Sequence, residues 1–250
     1  MGMRENYTLI RLYIDAPLAS GGRLELPKEQ RHYLINVLRK KTRDELRVFN
    51  GADGEWLARI VDVSKKSAQI EILERLRAPK PSPDIILCFA PLRKHRTAFI
   101  AEKATELGVS VLQPVITART QFPKINADKM RAQIIEAAEQ TERLDIPSLA
   151  EVMSLDAMLA AYNDRRIFFA DEAQNAQHTK LALEAINATP HPASILIGPE
   201  GGFTDAEREM LRAMDNVTPI SLGPRILRAD TAALSVLTLW QSVHGDWHRG

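Results

Sequence analysis

From Ile85 onward the sequence alternates short apolar runs with longer segments of helical spacing. "IILCFA" leads to "RTAFIAEKATEL", closed by Gly108, then come "VLQPVI" and "DKMRAQIIEAAEQTERL". Later segments are "RIFFA", "TKLALEAIN", "SILIG", "TDAEREMLRAM", "TPISLG" and "DTAALSVLTLWQSVH". Strand followed by helix, repeated, predicts an α/β fold: a parallel sheet covered by helices on both faces. In such a sheet a ligand sits beyond the carboxyl ends of the strands.

Ahead of this region, "LRAPKPSPDIIL" carries Pro79, Pro81 and Pro83. Each proline fixes its own backbone and pushes its predecessor towards an extended conformation. The segment reads as a linker, dividing the chain into domains at 1–76 and 77–250. The first part holds "TLIRLYI", "ELRVFN", "EWLARIVDV" and "AQIEIL", punctuated by Gly21-Gly22 and Gly51-Ala52-Asp53-Gly54. Alternation in "EWLARIVDV" puts Trp56, Ala58, Ile60 and Asp62 on one face, as in a strand. "KEQRHYLINVLRK" differs, with Tyr33, Leu34, Val37 and Leu38 at helical spacing. A small β-barrel with one helix is the expectation.

Net charge is +1, but residues 1–77 hold 15 Lys+Arg against 11 Asp+Glu. The amino-terminal part is therefore the better partner for a polyanion. Cys88 is the one cysteine, inside an apolar run, so a disulfide within the chain and a cysteine metal site are excluded. His244 and His248 are four apart, but Gly245 intervenes, and a frayed tail is expected there with no metal. Met153, Met158, Met210 and Met214 are assigned to packing within helical segments. With no apolar run of about 20 residues and no secretion signal, a cytoplasmic location and no membrane partner are expected.

Two loops carry the chemistry. "ILIGPEGGFTDAE" ends a strand, turns through Gly198-Pro199-Glu200-Gly201-Gly202 and opens a helix, with Thr204 and Glu207 spaced as a capping box. "ISLGPRILRADTAAL" repeats the plan, with Asp230 or Thr231 placed to cap the last helix. Two glycine-proline turns after neighbouring strands would form a paired cradle. It suits an adenosine, with backbone groups for the base edge and Leu196, Leu222 and Leu227 for its faces.

The motifs "IGPEGGFTDAE" and "LGPRILRADTAA" together resemble the paired signatures of the small-subunit ribosomal RNA methyltransferase E family, of the SPOUT class. "EKATELGV", "ITART", "IIEAAEQTERLDIP" and "HYLINVLRKKTRDELRVFNG" extend the resemblance over most of the chain. The resemblance implies a PUA-like barrel followed by an α/β domain whose final helix is threaded into a trefoil knot, and a homodimer. It implies S-adenosylmethionine as cofactor, held by Leu196, Gly198, Pro199, Glu200, Gly201, Gly202, Leu222, Gly223, Ile226, Leu227 and Ala233. It also implies methyl transfer to N3 of a uridine in small-subunit ribosomal RNA, free or within the assembled small ribosomal subunit.

Uracil N3 must lose a proton, so the site needs a base or a cation that stabilises the forming anion. Arg228 suits the cation, though a phosphate contact or a salt bridge with Asp230 would also explain it. Glu200 suits proton transfer, or alternatively satisfies backbone N–H groups at a helix start. Asp230 departs from the glutamate expected at its position, and helix capping is its expected role. His32 resembles a family position, with a hydrogen-bonded structural role expected. Arg39, Lys40, Lys41 and Arg43, with Arg93, Lys94, Arg96 and Arg119, are the RNA phosphate candidates. Alternatives are a related enzyme acting on a ribose 2′-hydroxyl or another base, and a non-catalytic RNA-binding module. A Rossmann enzyme is disfavoured because neither G-x-G-x-x-G after an early strand nor G-x-x-x-x-G-K-[ST] occurs.

Overall fold

The computed structural model describes residues 6–64, 67–171, 179–189 and 192–247. The chain divides into two units, Met1–Pro81 with Ala138–Ile146, and Ser82–Ala137 with Pro147–Gly250. Segment 138–146 joins the first unit for a clear reason. The Arg11 guanidinium donates to the carbonyls of Ala138, Glu139 and Arg143 at 2.8–2.9 Å. Arg47 and Arg77 bond the Glu142 carboxylate from the same unit.

The first unit contains β1 (Arg11–Tyr13), β2 (Arg23–Glu25), α1 (Lys28–Arg31), β3 (Glu45–Asn50), β4 (Gly54–Val63) and β5 (Ala68–Arg77). They form a five-stranded sheet in the order β1-β3-β4-β5-β2. β1 runs parallel to β3 and the other pairs are antiparallel. Among the described residues the hydrogen-bonded path of this small β domain has ends at β1 and β2, and its strands share one core. Leu12, Leu34, Val48, Ala58, Ile60 and Ile70 belong to that core. A register shift between Ile60 and Asp62 interrupts the alternation in β4, so Val63 packs on the core and Asp62 is exposed.

The expected helix at 28–40 also differs. One turn of α1 passes into a π-helical turn, His32–Val37, in which Leu38 N–H donates to Tyr33 O. The widened turn splits the apolar set: Leu34 and Leu38 reach the core, while Tyr33 and Val37 are left in solvent. His32 Nδ1 lies 2.8 Å from Asn36 Nδ2.

The second unit contains β6 (Ile85–Phe89), α2 (Lys94–Glu106), β7 (Val111–Ile116), the start of α3 (Ala127–Gln140), β8 (Ser148–Leu149), β9 (Met153–Ser154) and α4 (Leu155–Ala161). It continues with β10 (Arg166–Ala170), β11 (Lys180–Leu181), α5 (Ala182–Asn187), β12 (Ala193–Ile197), α6 (Asp205–Arg212), β13 (Val217–Ser221) and α7 (Ala229–Val243). The sheet order is β11-β13-β10-β12-β6-β7-β8, with β9 on β7, and every pair is parallel. β6 and β12 are buried at every residue, as strands covered on both faces must be.

Met158 is buried in the core; Met153, Met210 and Met214 pack against it, Met153 from a strand and Met214 from beyond the end of α6 rather than from helices. α7 buries Ala232, Ala233, Val236, Leu237, Trp240 and Gln241. Its end is not frayed at His244, whose Nε2 lies 2.7 Å from Ile186 O. His248 lies outside the described residues. Among the described residues, no helix is long and apolar enough to cross a membrane.

Candidate functional site

Because the second sheet is parallel, the ends of β13, β10, β12 and β6 lie side by side along one edge. The loops after these four strands line one cavity of about 780 Å³. β12 supplies Gly198–Gly202, β13 supplies Leu222, Gly223 and Arg225–Arg228, β10 supplies Ala170 and Asp171, and β6 leads to Arg93, His95 and Arg96. The two glycine-proline loops do not follow neighbouring strands, as the sequence suggested; β10 stands between β12 and β13. Two strand spacings, about 10 Å, therefore separate them. That leaves room for a flat group between the loops, which adjacent strands would not.

Local chemistry fixes the first loop. Gly202 has φ 66°, and its N–H donates to Pro199 O at 2.9 Å. A Cβ at Gly198 would stand 2.5 Å from the Phe203 ring, so only glycine fits. Thr204 and Glu207 form the capping box as read, and Glu207 Oε1 also accepts the N–H of Ala118 at 2.8 Å. Arg119 Nη1 donates to Gly201 O at 3.0 Å and Phe203 O at 3.3 Å. The segment after β7 thus clamps the glycine loop, and Arg119 is engaged by that loop rather than standing free for a phosphate. Below, Asp171 is bonded by Arg212, whose Nε lies 2.9 Å away, and Arg208 comes within 3.7 Å. The Asp171 side chain has no exposure and anchors α6.

The second loop leaves Gly223 at φ 101°, with open space for 4 Å around where a Cβ would stand. Arg228, extended at φ −67° and ψ 151°, is the residue that precedes α7. Neither Asp230 nor Thr231 caps the helix from outside, because both lie inside its first turn. Asp230 instead accepts the Thr231 N–H through Oδ1 and pairs with Arg96 Nη1 through Oδ2, both at 2.9 Å. Arg228 therefore has no ion pair with Asp230, and its side chain is exposed in the cavity wall.

Of the sequence candidates, Gly198, Pro199, Glu200, Gly201, Gly202, Leu222, Gly223, Ile226, Leu227 and Arg228 line the cavity. Leu196 does not: strand alternation turns it into the core beside Phe203, and Ile197 lines the cavity. Ala233 is likewise fully buried, and Ala232, one residue earlier on α7, takes the lining position. A Cβ on Gly201 would meet Arg119 at 3.5 Å rather than a ligand. Sequence reasoning missed His95, Asp171, Gln121, Ser221 and Arg225 in the lining. Position after a strand end was the available signal for Asp171 and Ser221. Arg93 lines the cavity and Lys94 is exposed on the first turn of α2. Arg39, Lys41 and Arg43 are exposed in the first unit, and Lys40 is half-buried. No cluster of three or more metal-ligating side chains occurs among the described residues.

A family described as "RNA methyltransferase domain" matches residues 79–241, and one described as "RNA methyltransferase PUA domain" matches residues 26–73. The ribosomal RNA small subunit methyltransferase E of Rickettsia conorii is 35% identical over 228 residues, 91% of this chain and 93% of its own. Among solved structures, a Legionella pneumophila methyltransferase in complex with its cofactor S-adenosylmethionine has a TM-score of 0.85 and 32% identity. It covers 95% of this chain and 99% of its own. A ribosomal RNA small subunit methyltransferase E from Neisseria gonorrhoeae, bound to S-adenosylmethionine, has a TM-score of 0.82 and 27% identity, covering 96% and 99%.

Proposed function

Because this chain belongs to the ribosomal RNA small subunit methyltransferase E family, we propose that its cavity holds S-adenosylmethionine and directs the methyl group to N3 of a uridine. The observation that carries this reading is that two backbone-lined loops, one strand apart, bound a single cavity. The residues fit the cofactor: glycines at positive φ bring backbone atoms to the wall, and Ile197, Leu222, Leu227 and Ala232 give apolar surface for an adenine ring. S-adenosylmethionine supplies an activated methyl on a sulfonium, so the chain needs no covalent nucleophile.

The chain's own task is to align a uracil, exclude water and manage the N3 proton. Arg228, with its charge unpaired among the described residues, stabilises the negative charge that spreads onto the uracil oxygens. Glu200, exposed in the first loop, accepts the N3 proton. Asp171 is unsuited to that role, since its carboxylate is buried and bonded by Arg212. Arg93 and Lys94, with Arg39, Lys40, Lys41 and Arg43 of the first unit, hold RNA phosphates. Arg96 and Arg119 act as positioning residues, through Asp230 and through Gly201.

A second copy of the chain covers the face formed by Leu181, Leu183, Leu222, Leu234 and Leu239. These line a second concavity beside the cofactor loops, and Leu181 and Leu183 are 55% and 46% exposed. Threading of the last helix is what the family implies; α7 packs against α2, α5 and β12. Mass spectrometry of nucleosides from small-subunit ribosomal RNA, after incubation with labelled cofactor, tests the reaction. Labelled 3-methyluridine is expected; label on a ribose or on another base would overturn it.

A further inference from the structure

Three unusual features fall in one stretch of the first unit. Residues 31–43 hold five Lys or Arg and no Asp or Glu. The π-helical turn leaves Tyr33 40% and Val37 57% exposed. Arg39 and Arg43 both have left-handed backbone, with φ 56° and 79°, a conformation that glycine adopts without steric cost and an arginine does not. Backbone bonds impose it: Lys40 N–H donates to Leu34 O at 3.0 Å, and Arg43 N–H to Ile60 O at 2.8 Å. The guanidinium groups of both arginines lack a hydrogen-bond or ion-pair partner among the described residues and stand exposed. Asp44, the acid adjoining the stretch, accepts the backbone N–H of Lys41. A strained position that keeps a long cation where glycine would fit directs attention to a contact outside the chain.

We propose that the segment His32–Arg43 is a docking surface for unpaired RNA, in which a base stacks on Tyr33 beside Val37 while Arg39 and Arg43 hold flanking phosphates. A duplex buries its base faces, so an exposed phenol ring offers it little. A single strand presents π-faces and phosphates together. This rests on the RNA substrate proposed above and adds the form in which the first unit takes it. An acidic protein surface would match the arginines, whereas unpaired RNA supplies a phosphate and an exposed base with every nucleotide, matching the arginines and Tyr33 together.

Fluorescence anisotropy of the full chain, with a labelled single-stranded oligouridylate and with a duplex RNA of equal length, tests the proposal. The single strand should bind more tightly. Tyr33→Ala should weaken it about tenfold and Tyr33→Trp should restore it. The pair Arg39→Gly and Arg43→Gly should lower affinity and flatten the log–log salt dependence by about 1.4, at about 0.7 per phosphate contact. The thermal midpoint of that variant should stay unchanged or rise, because glycine relieves the left-handed backbone. Unchanged binding by Tyr33→Ala, or equal affinity for the duplex, overturns the proposal. Wild-type methylation of ribosomal RNA alongside unchanged Tyr33→Ala binding would remove this surface and leave the function standing. Single-strand binding without methylation would do the reverse.

Discussion

Arg228 lies two residues from Asp230, yet that acid is taken by Arg96, so the Arg228 side chain lines the cavity without an ion pair among the described residues. Replacing Arg228 with alanine should leave the affinity for S-adenosylmethionine nearly intact and slow single-turnover methyl transfer about a hundredfold, the usual cost of one preorganised charge-stabilising group. Equal single-turnover rates would remove it from the chemistry. Glu207 closes the capping box and also accepts the Ala118 N–H. Glu207→Ala should therefore cost about 1–2 kcal/mol in urea unfolding, as lost caps do, and should weaken cofactor binding by loosening the first loop. The capping box was legible because its partners are three residues apart. The Arg96–Asp230 pair was not, because 134 positions separate its members and no local spacing records them.

At the scale of elements, many strand and helix runs after Ile85 could be read because strands such as β6 are continuously apolar and α6 opens on its own capping box. The place of β10 between the two loop-bearing strands could not be read, since strand order is decided by crossovers rather than by composition. The π-helical turn was also hidden: a helical spacing of apolar residues does not reveal an inserted i+5 bond. In the first unit, Glu55 on β4 is bonded by Arg11 at 2.6 Å and by Arg77 at 2.8 Å, with Arg47 at 3.6 Å. Burial, the largest single influence, would raise its pKa, but hydrogen bonds from Arg77 and Arg11 together with the charges of both guanidinium groups hold the carboxyl below its ordinary value. A carboxyl depressed in the folded state stabilises the protein above its ordinary range and loses that contribution as pH falls through the folded value. Glu55→Gln should cost about 3–5 kcal/mol at neutral pH, since it removes the buried carboxylate charge that the Arg11, Arg47 and Arg77 side chains face. It should also flatten the acid limb of stability, measured by urea unfolding across pH. An acid limb as steep as the wild type would contradict this origin.

For the whole molecule, the apolar face around α7 sets the expected assembly. Leu234→Glu should convert the proposed dimer to a monomer in light scattering and lower methyl transfer, because Leu222 and Gly223 line both that face and the cavity proposed for the cofactor. A variant that stays dimeric would move the interface elsewhere. The central claim is that both loops jointly hold one cofactor, and calorimetric titration of S-adenosylmethionine tests it most directly. Gly202→Val in one loop and Gly223→Val in the other, each verified as folded by circular dichroism, should both lose binding, while Arg228→Ala retains it. Wild-type affinity in either glycine variant would contradict the account.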